Sequence, residues 1–450
     1  MGDRTVFLVH PDRVIAGLDY VGPTPAGVLD NAGVLVQRIA AQLGDDRGGL
    51  VLLDAKAAES LGMHGVCGQH PADTICPSCR EAVPRAFTAA EMLGWSHTSP
   101  GPFVTFYRRD RPDVHVGMLD RIERQARQDA LWWPFAAPWS PDMVAALQHW
   151  HRLSWLPWQA GPPVMGTELM HQLMATYRIP GQRGNFRPVK RDPDGTPEGA
   201  GESPWSPNLW YRPELATYLH GYDRRRAGLT AAGVAKLSPA ALMHTPKAPF
   251  DSRRAGWWLV SVPPWNHPHM PHPFGPLEVW SRAWVTTATL DLGAELAAAG
   301  VLDMPEPIDS YTGPARPTLL PWQKRLEAVY AAPESDTYHP EDRKRVQAAA
   351  KAVGTKGIGM LNHEASSVYR PDWYHAVNAT KRANLWRVAW QVGQTEHRWP
   401  VAFDDDCLWY ASDDPDGTSS APALIARNRS DQPAWADVPG NFRHQETKRQ

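Results

Sequence analysis

Apolar and polar positions divide the chain into short strands and longer helices. Near the start, Thr5 to His10 and Gly49 to Asp54 read as strands flanking the helical pattern NAGVLVQRIAAQL. Together they predict a small α/β module over residues 1–62, with no glycine-rich phosphate loop. After a cysteine-rich insert at 63–85, PFVTFYRRDRPDVHVGML predicts two strands joined by a turn at RDRPD. PDMVAALQHWHRLSWL has helical spacing, and residues 181–208, dense in Gly, Pro and charge without a period, read as a linker. Beyond it, LATYLHGYD and GWWLVSVPP read as strands, and WVTTATLDLGAELAAAG as a strand or turn entering a helix. RKRVQAAAKAV and HAVNATKRANLWRVAWQV read as helices, and RWPVAFDDDCLWYASDD as a hairpin with Asp404, Asp405 and Asp406 at its tip. There is no internal repeat.

With 42% apolar and 21% charged residues, 450 residues have room for two or three domains with cores of their own. A net charge of −2 excludes a chain that is cationic all over, so any nucleic-acid site is a local groove. The N-terminus lacks the apolar core of a signal peptide, and no stretch approaches the ~20 apolar residues that span a bilayer. A cytoplasmic protein without a membrane partner is expected. Three of the four cysteines crowd into residues 67–79, the usage of a metal site in a reducing compartment. Cys67-x2-His70-x5-Cys76-x2-Cys79 supplies two chelating pairs, enough to close a tetrahedral structural Zn²⁺ site, with His64 as a substitute fourth ligand. The alternative is a loop of free thiols. Trp132, Trp133, Trp150, Trp155 and Trp158 suit core packing better than base stacking, and His267, His269 and His272 suit an exposed proline-rich loop better than a metal site.

Alternation along the hairpin would place Asp404 and Asp406 on one face and Asp405, a surface charge, on the other. Two converging carboxylates are tolerated when Mg²⁺ or Mn²⁺ neutralises them, although a solvated acidic turn explains the same letters. Asp223 ends a strand in ATYLHGYDRRRAGLTAA, just before a turn into a helix, and KAVGTKGIG sets Lys351, Thr355 and Gly359 at a helix end.

In this order, strand-end Asp, helical Lys to Gly and hairpin Asp resemble the palm and fingers motifs of family-B DNA polymerases. YDRRRAGLTAA, FDSRRAGWWLVSV and YRPDWYHAVNATKRANLWRVAWQVGQTEHRWPVAFDDDCLWY look like the C-terminal polymerase-like region of telomere-associated proteins of linear actinobacterial replicons. The resemblance spans about residues 86–450. It implies a multidomain α+β fold: a palm of antiparallel sheet with helices, plus fingers, over 209–450, behind a degenerate exonuclease-like α/β domain at 86–180. It also implies a DNA-directed nucleotidyltransferase with a two-metal mechanism, working in protein-primed replication or patching of replicon ends. DNA, deoxynucleoside triphosphates and a terminal protein would be its partners. Asp223 and Asp406 would hold the Mg²⁺ or Mn²⁺ ions with Asp404 in support. Lys351 would neutralise the triphosphate, with Thr355 beside it and Gly359 close to the nascent base pair.

The chain departs from the family in several places. Asp223 is followed by Arg224, Arg225, Arg226, Ala227 and Gly228 where the family continues Asp-x-x-Ser-Leu-Tyr, so the tyrosine that gates the sugar is missing; the arginines suit phosphate contacts and a solvated turn equally. Asp405 and Cys407 replace Thr and Ser, and 86–180 lacks the Asp-x-Glu of a nuclease. Little chain follows Asp414 for a thumb, leaving Arg443 and Lys448 as candidates for one basic strand against a duplex. Two rival readings stand beside the enzyme: an inactive polymerase-fold recruitment protein that binds DNA and a terminal protein, and a metal-dependent nuclease using the same aspartates.

Overall fold

The computed structural model describes residues 6–10, 13–16, 20–43, 48–61, 87–97, 103–119, 122–123, 126, 133–135, 141–174, 196–201, 208–209, 216–331, 340–427 and 440–449. They fall into two compact units, Met1–Leu169 with Arg325–Gly357, and Met170–Lys324 with Ile358–Gln450. The expected zinc ligands Cys67, His70, Cys76 and Cys79 lie outside the described residues, as does most of the expected linker.

The first unit is built on a seven-stranded sheet in the order β3-β2-β1-β4-β7-β6-β5. Its strands are β1 (Val6–Val9), β2 (Arg13–Ala16), β3 (Tyr20–Pro23), β4 (Gly49–Leu53), β5 (Ser96–His97), β6 (Phe103–Arg108) and β7 (Arg111–Met118). β4 runs parallel to both β1 and β7. Central parallel strands are covered on both faces, which is why VFLV and GLVLL are unbroken apolar runs. The segments 1–62 and 86–180 thus contribute to a single sheet, joined where β4 meets β7. The hairpin turn is only Arg109 and Asp110 long; Pro112 already belongs to β7, beside a bulge in the ladder to β6 and before pairing with β4 begins at Val114.

Helix α1 (Ala32–Leu43) lays Leu35, Val36, Ile39 and Leu43 into the core, and α2 (Ala55–Ser60) is capped by Asp54. In α3 (Pro141–Ser154), Gln148 accepts a hydrogen bond from the Val6 amide at 3.0 Å. Trp133, Trp150 and Trp158 are buried as expected, whereas Trp155 is exposed beneath the Arg325 guanidinium. Gly166 in α4 (Pro162–Met174) meets another helix so closely that a Cβ there would fall 2.6 Å from the Cα of Gly357.

The second unit holds two sheets. One is ordered β10-β13-β11-β12, from β10 (Met243–His244), β11 (Arg254–Ser261), β12 (Arg282–Thr286) and β13 (Asp309–Pro314). The other is ordered β16-β9-β15-β14-β8, from β8 (Asn208–Leu209), β9 (Tyr218–Arg224), β14 (Ala402–Asp404), β15 (Cys407–Ser412) and β16 (Phe442–Arg449). Its helices include α5 (Ala227–Val234), α6 (Thr287–Ala298) and α9 (Pro371–Glu396); α7 (Leu320–Tyr330) and α8 (Pro340–Met360) are divided between the units. One face of the five-stranded sheet, with Tyr222, Phe403, Leu408, Tyr410 and Phe442, packs against Leu290 and Leu296 of α6 and Trp386 and Val392 of α9. Burying those residues commits their alternate neighbours, Asp223 among them, to the opposite face. His267 and His272 are not the exposed loop residues expected: His267 packs on Trp390 and Trp399, and His272 donates to the Pro263 carbonyl at 2.8 Å.

Candidate metal centre

Strand register brings distant charges into line. Asp404 lies opposite Cys407, Cys407 opposite Asp223, and Asp223 opposite Arg443. Directly opposed residues of adjacent strands share a face, so these four form one row across β14, β15, β9 and β16. The alternation expected for the aspartates stops at Asp404. Asp405 takes a left-handed backbone (φ 49°), which Asp tolerates better than most residues, and Asp406 completes a two-residue turn. The Asp406 carbonyl accepts from the Arg224 amide at 3.0 Å, pinning the turn to the end of β9. Asp406 therefore reaches the site from the turn and not by sharing a strand face with Asp404.

The carboxyl of Asp406 comes within hydrogen-bonding reach of Asp223. Burial, then Asp223, then Asp405 push its pKa up to about 7, against the pull of the Lys381 ammonium. Asp223, 13% exposed, accepts from Nε of Arg443 at 2.7 Å. Asp405 is more than the surface charge expected of it: its carboxylate, 49% exposed, pairs with Lys381 of α9, whose side chain is only 11% exposed. Burial and then the surrounding Asp223, Asp404 and Asp406 carboxylates push the Cys407 thiol up.

Two carboxyls this close, one of them largely buried, cannot both ionise cheaply without a cation between them, and their hard oxygens suit Mg²⁺ or Mn²⁺. Asp223 and Asp406 fit such an ion. Asp404 stands across the width of β15 from Asp223, and no three His, Cys, Asp or Glu side chains converge on an ion site among the described residues. Among the described residues the centre offers two converging carboxyls.

Lys351, Thr355 and Gly359 recur at four-residue spacing on α8, and all three are exposed along one stripe of the helix. Outside the helix's own backbone, none of the described residues lies within 4 Å of where a Cβ of Gly359 would be. Close packing in this motif belongs instead to Gly357, against Gly166. Arg224, considered for phosphate contact, is buried on the face opposite Asp223, and its Nε donates to the Gly440 carbonyl at 3.1 Å. It clamps the C-terminal strand. Lys448 pairs with Glu446 and lies 4.2 Å over the Trp409 ring.

Sequence reasoning missed Lys381 and the ion pair of Arg443. Lys381 carried a signal, since it falls four residues after Val377 and four before Leu385, both buried. Arg443 carried none, because its partner depends on which strand β16 joins.

No protein-family model matches the sequence, and no curated protein matches it. Among solved structures, the chain is similar to Phi29 DNA polymerase complexed with primer-template DNA and incoming nucleotide substrates, at 9% identity and a TM-score of 0.48, over 99% of this chain and 85% of that one. Its likeness to the same polymerase complexed with primer-template DNA alone has 10% identity and a TM-score of 0.45, over 99% and 84%. The family B DNA polymerase of the archaeon Pyrobaculum calidifontis gives 13% identity and a TM-score of 0.33, over 92% of this chain and 51% of that one.

Proposed function

We propose that the protein is a DNA polymerase-like nucleotidyltransferase that acts at replicon ends, with DNA and deoxynucleoside triphosphates as substrates and a terminal protein as primer. One observation carries this reading. Asp223 and Asp406, far apart in sequence, are brought together at a strand end and an adjoining turn at an electrostatic cost that a solvated acidic turn would avoid. Bound there, Mg²⁺ or Mn²⁺ would supply the positive charge that an in-line displacement at phosphorus needs on its attacking and leaving oxygens. The chain's own residues divide the remaining work. Asp223 and Asp406 bind the ion, Lys381 holds the turn through Asp405, and Lys351 and Thr355 offer an exposed cation and hydroxyl suited to a triphosphate. A structural Zn²⁺ held by Cys67, His70, Cys76 and Cys79 completes the proposal.

The experiment supplies labelled deoxynucleotides, Mn²⁺ or Mg²⁺, a primed template and a terminal protein to the wild type and to Asp406→Asn. Incorporation by the wild type, reduced by about 10²-fold or more in the variant, supports transfer at this site. Degradation of the input DNA would point to a nuclease. The recruitment reading draws on the Arg443–Asp223 pair, which neutralises one carboxylate without any metal; DNA and terminal-protein binding with no incorporation under any primer would favour it.

A further inference from the structure

We propose that Arg443 is a resident cation of the aspartate centre, holding one oxygen of Asp223 so that the site takes a single divalent ion. This rests on the metal-binding reading of Asp223 and Asp406. The guanidinium is aimed by strand register. β16 is fastened to the end of β9 by the Arg225 amide on the Asn441 carbonyl and the Gly440 amide on the Arg225 carbonyl, each at 2.8 Å, and by Arg224 Nε on the Gly440 carbonyl. Arg443 follows two residues later, directly opposite Asp223. Its 2.7 Å bond to Oδ2 is a charge-assisted contact to a carboxylate largely shielded from water, and it occupies an oxygen that a second ion would need.

Positive charge is shared unevenly over the centre. Asp223 has a guanidinium of its own, whereas the Lys381 ammonium that acts on Asp406 is bonded to Asp405. Asp405 and Lys381 cancel each other. With Asp404 across β15 counted as well, three carboxylates and one guanidinium leave two uncompensated negative charges, which one divalent ion already balances. A second ion would face a centre already neutral, with one fewer oxygen to bind. Without Arg443 both oxygens of Asp223 are free and the two carboxylates can bridge a pair of ions.

Mn²⁺ titration of the full chain, followed by loss of the free-ion signal in electron paramagnetic resonance, reads this directly. The expected result is one Asp406-dependent Mn²⁺ in the wild type and in Arg443→Lys. Arg443→Ala is expected to bind two, the first about tenfold more tightly. Should Arg443→Ala fold poorly, Arg443→Gln removes the charge, keeps a donor and is expected to behave likewise. Two Asp406-dependent ions in the wild type, or unchanged number and affinity in both neutral variants, would overturn the proposal while leaving the metal site standing. Mn²⁺ binding that Asp406→Asn does not alter would overturn the metal-binding reading itself.

Discussion

At the scale of the residue, Asp406 carries the energetic tension of the site. Its folded pKa, about 7, lies above the ordinary 3.8, so between those values the folded protein holds a proton that the unfolded chain releases. The stability it contributes is present below pH 3.8 and is lost as pH rises through about 7. Asp406→Asn should therefore raise the melting temperature in chelator above neutral pH while abolishing the Mn²⁺ stabilisation seen in the wild type; differential scanning fluorimetry checks both. Lys381→Met removes a cation that lowers the pKa of Asp406, so the pH midpoint of Mn²⁺ binding should move upward. An unmoved midpoint would show that Lys381 only fixes the turn. The aspartates themselves were legible in sequence, because a strand-end Asp and a hairpin Asp stand out against apolar neighbours. Their counter-charges were not: the partner of Arg443 is a matter of register between strands far apart in the chain.

At the scale of the element, the glycines of α8 separate packing from function. Gly166→Ala would drive a methyl into the backbone at Gly357 and should cost about 1–3 kcal/mol in chemical denaturation. Gly359→Ala meets none of the described residues within 4 Å outside the helix's own backbone and should stabilise the helix by about 0.5–1 kcal/mol. If that open face receives the nascent base pair, the same substitution lowers incorporation despite the gain in stability; unchanged incorporation would remove Gly359 from the site. In β7, burial and then His151 push the buried His115 down to about 3. Its fold contribution is kept above pH 6.5 and lost as pH falls towards 3, so His115→Gln should flatten the decline in denaturation midpoint between about pH 7 and pH 5. Most elements were visible in the apolar pattern, including α1, α3, α9 and the aspartate hairpin. The short turn at Arg109 and Asp110 was not, because the Pro that signalled a longer loop sits where ladder bonds are interrupted anyway.

At the scale of the whole molecule, the sequence suggested separate N-terminal pieces at 1–62 and 86–180, while their strands share one sheet. A parallel pairing such as β4 with β7 spans a long connection, and local pattern says nothing about which strands such a connection joins. The aspartate pair was more legible because a strand-end Asp and a hairpin Asp stand out in the sequence, and the second unit does bring Asp223 and Asp406 together at the strand ends of an antiparallel sheet. Binding of a divalent ion by these two carboxylates can be read directly by iron-directed cleavage. Fe²⁺ substituted for Mg²⁺, with ascorbate and peroxide, cuts a protein backbone beside the site where the ion sits. Cuts are expected near residue 223 and in the 404–406 turn, suppressed by excess Mg²⁺ and absent in Asp406→Asn; cleavage confined to other parts of the chain, or unaffected by that substitution, would show that no ion sits between Asp223 and Asp406.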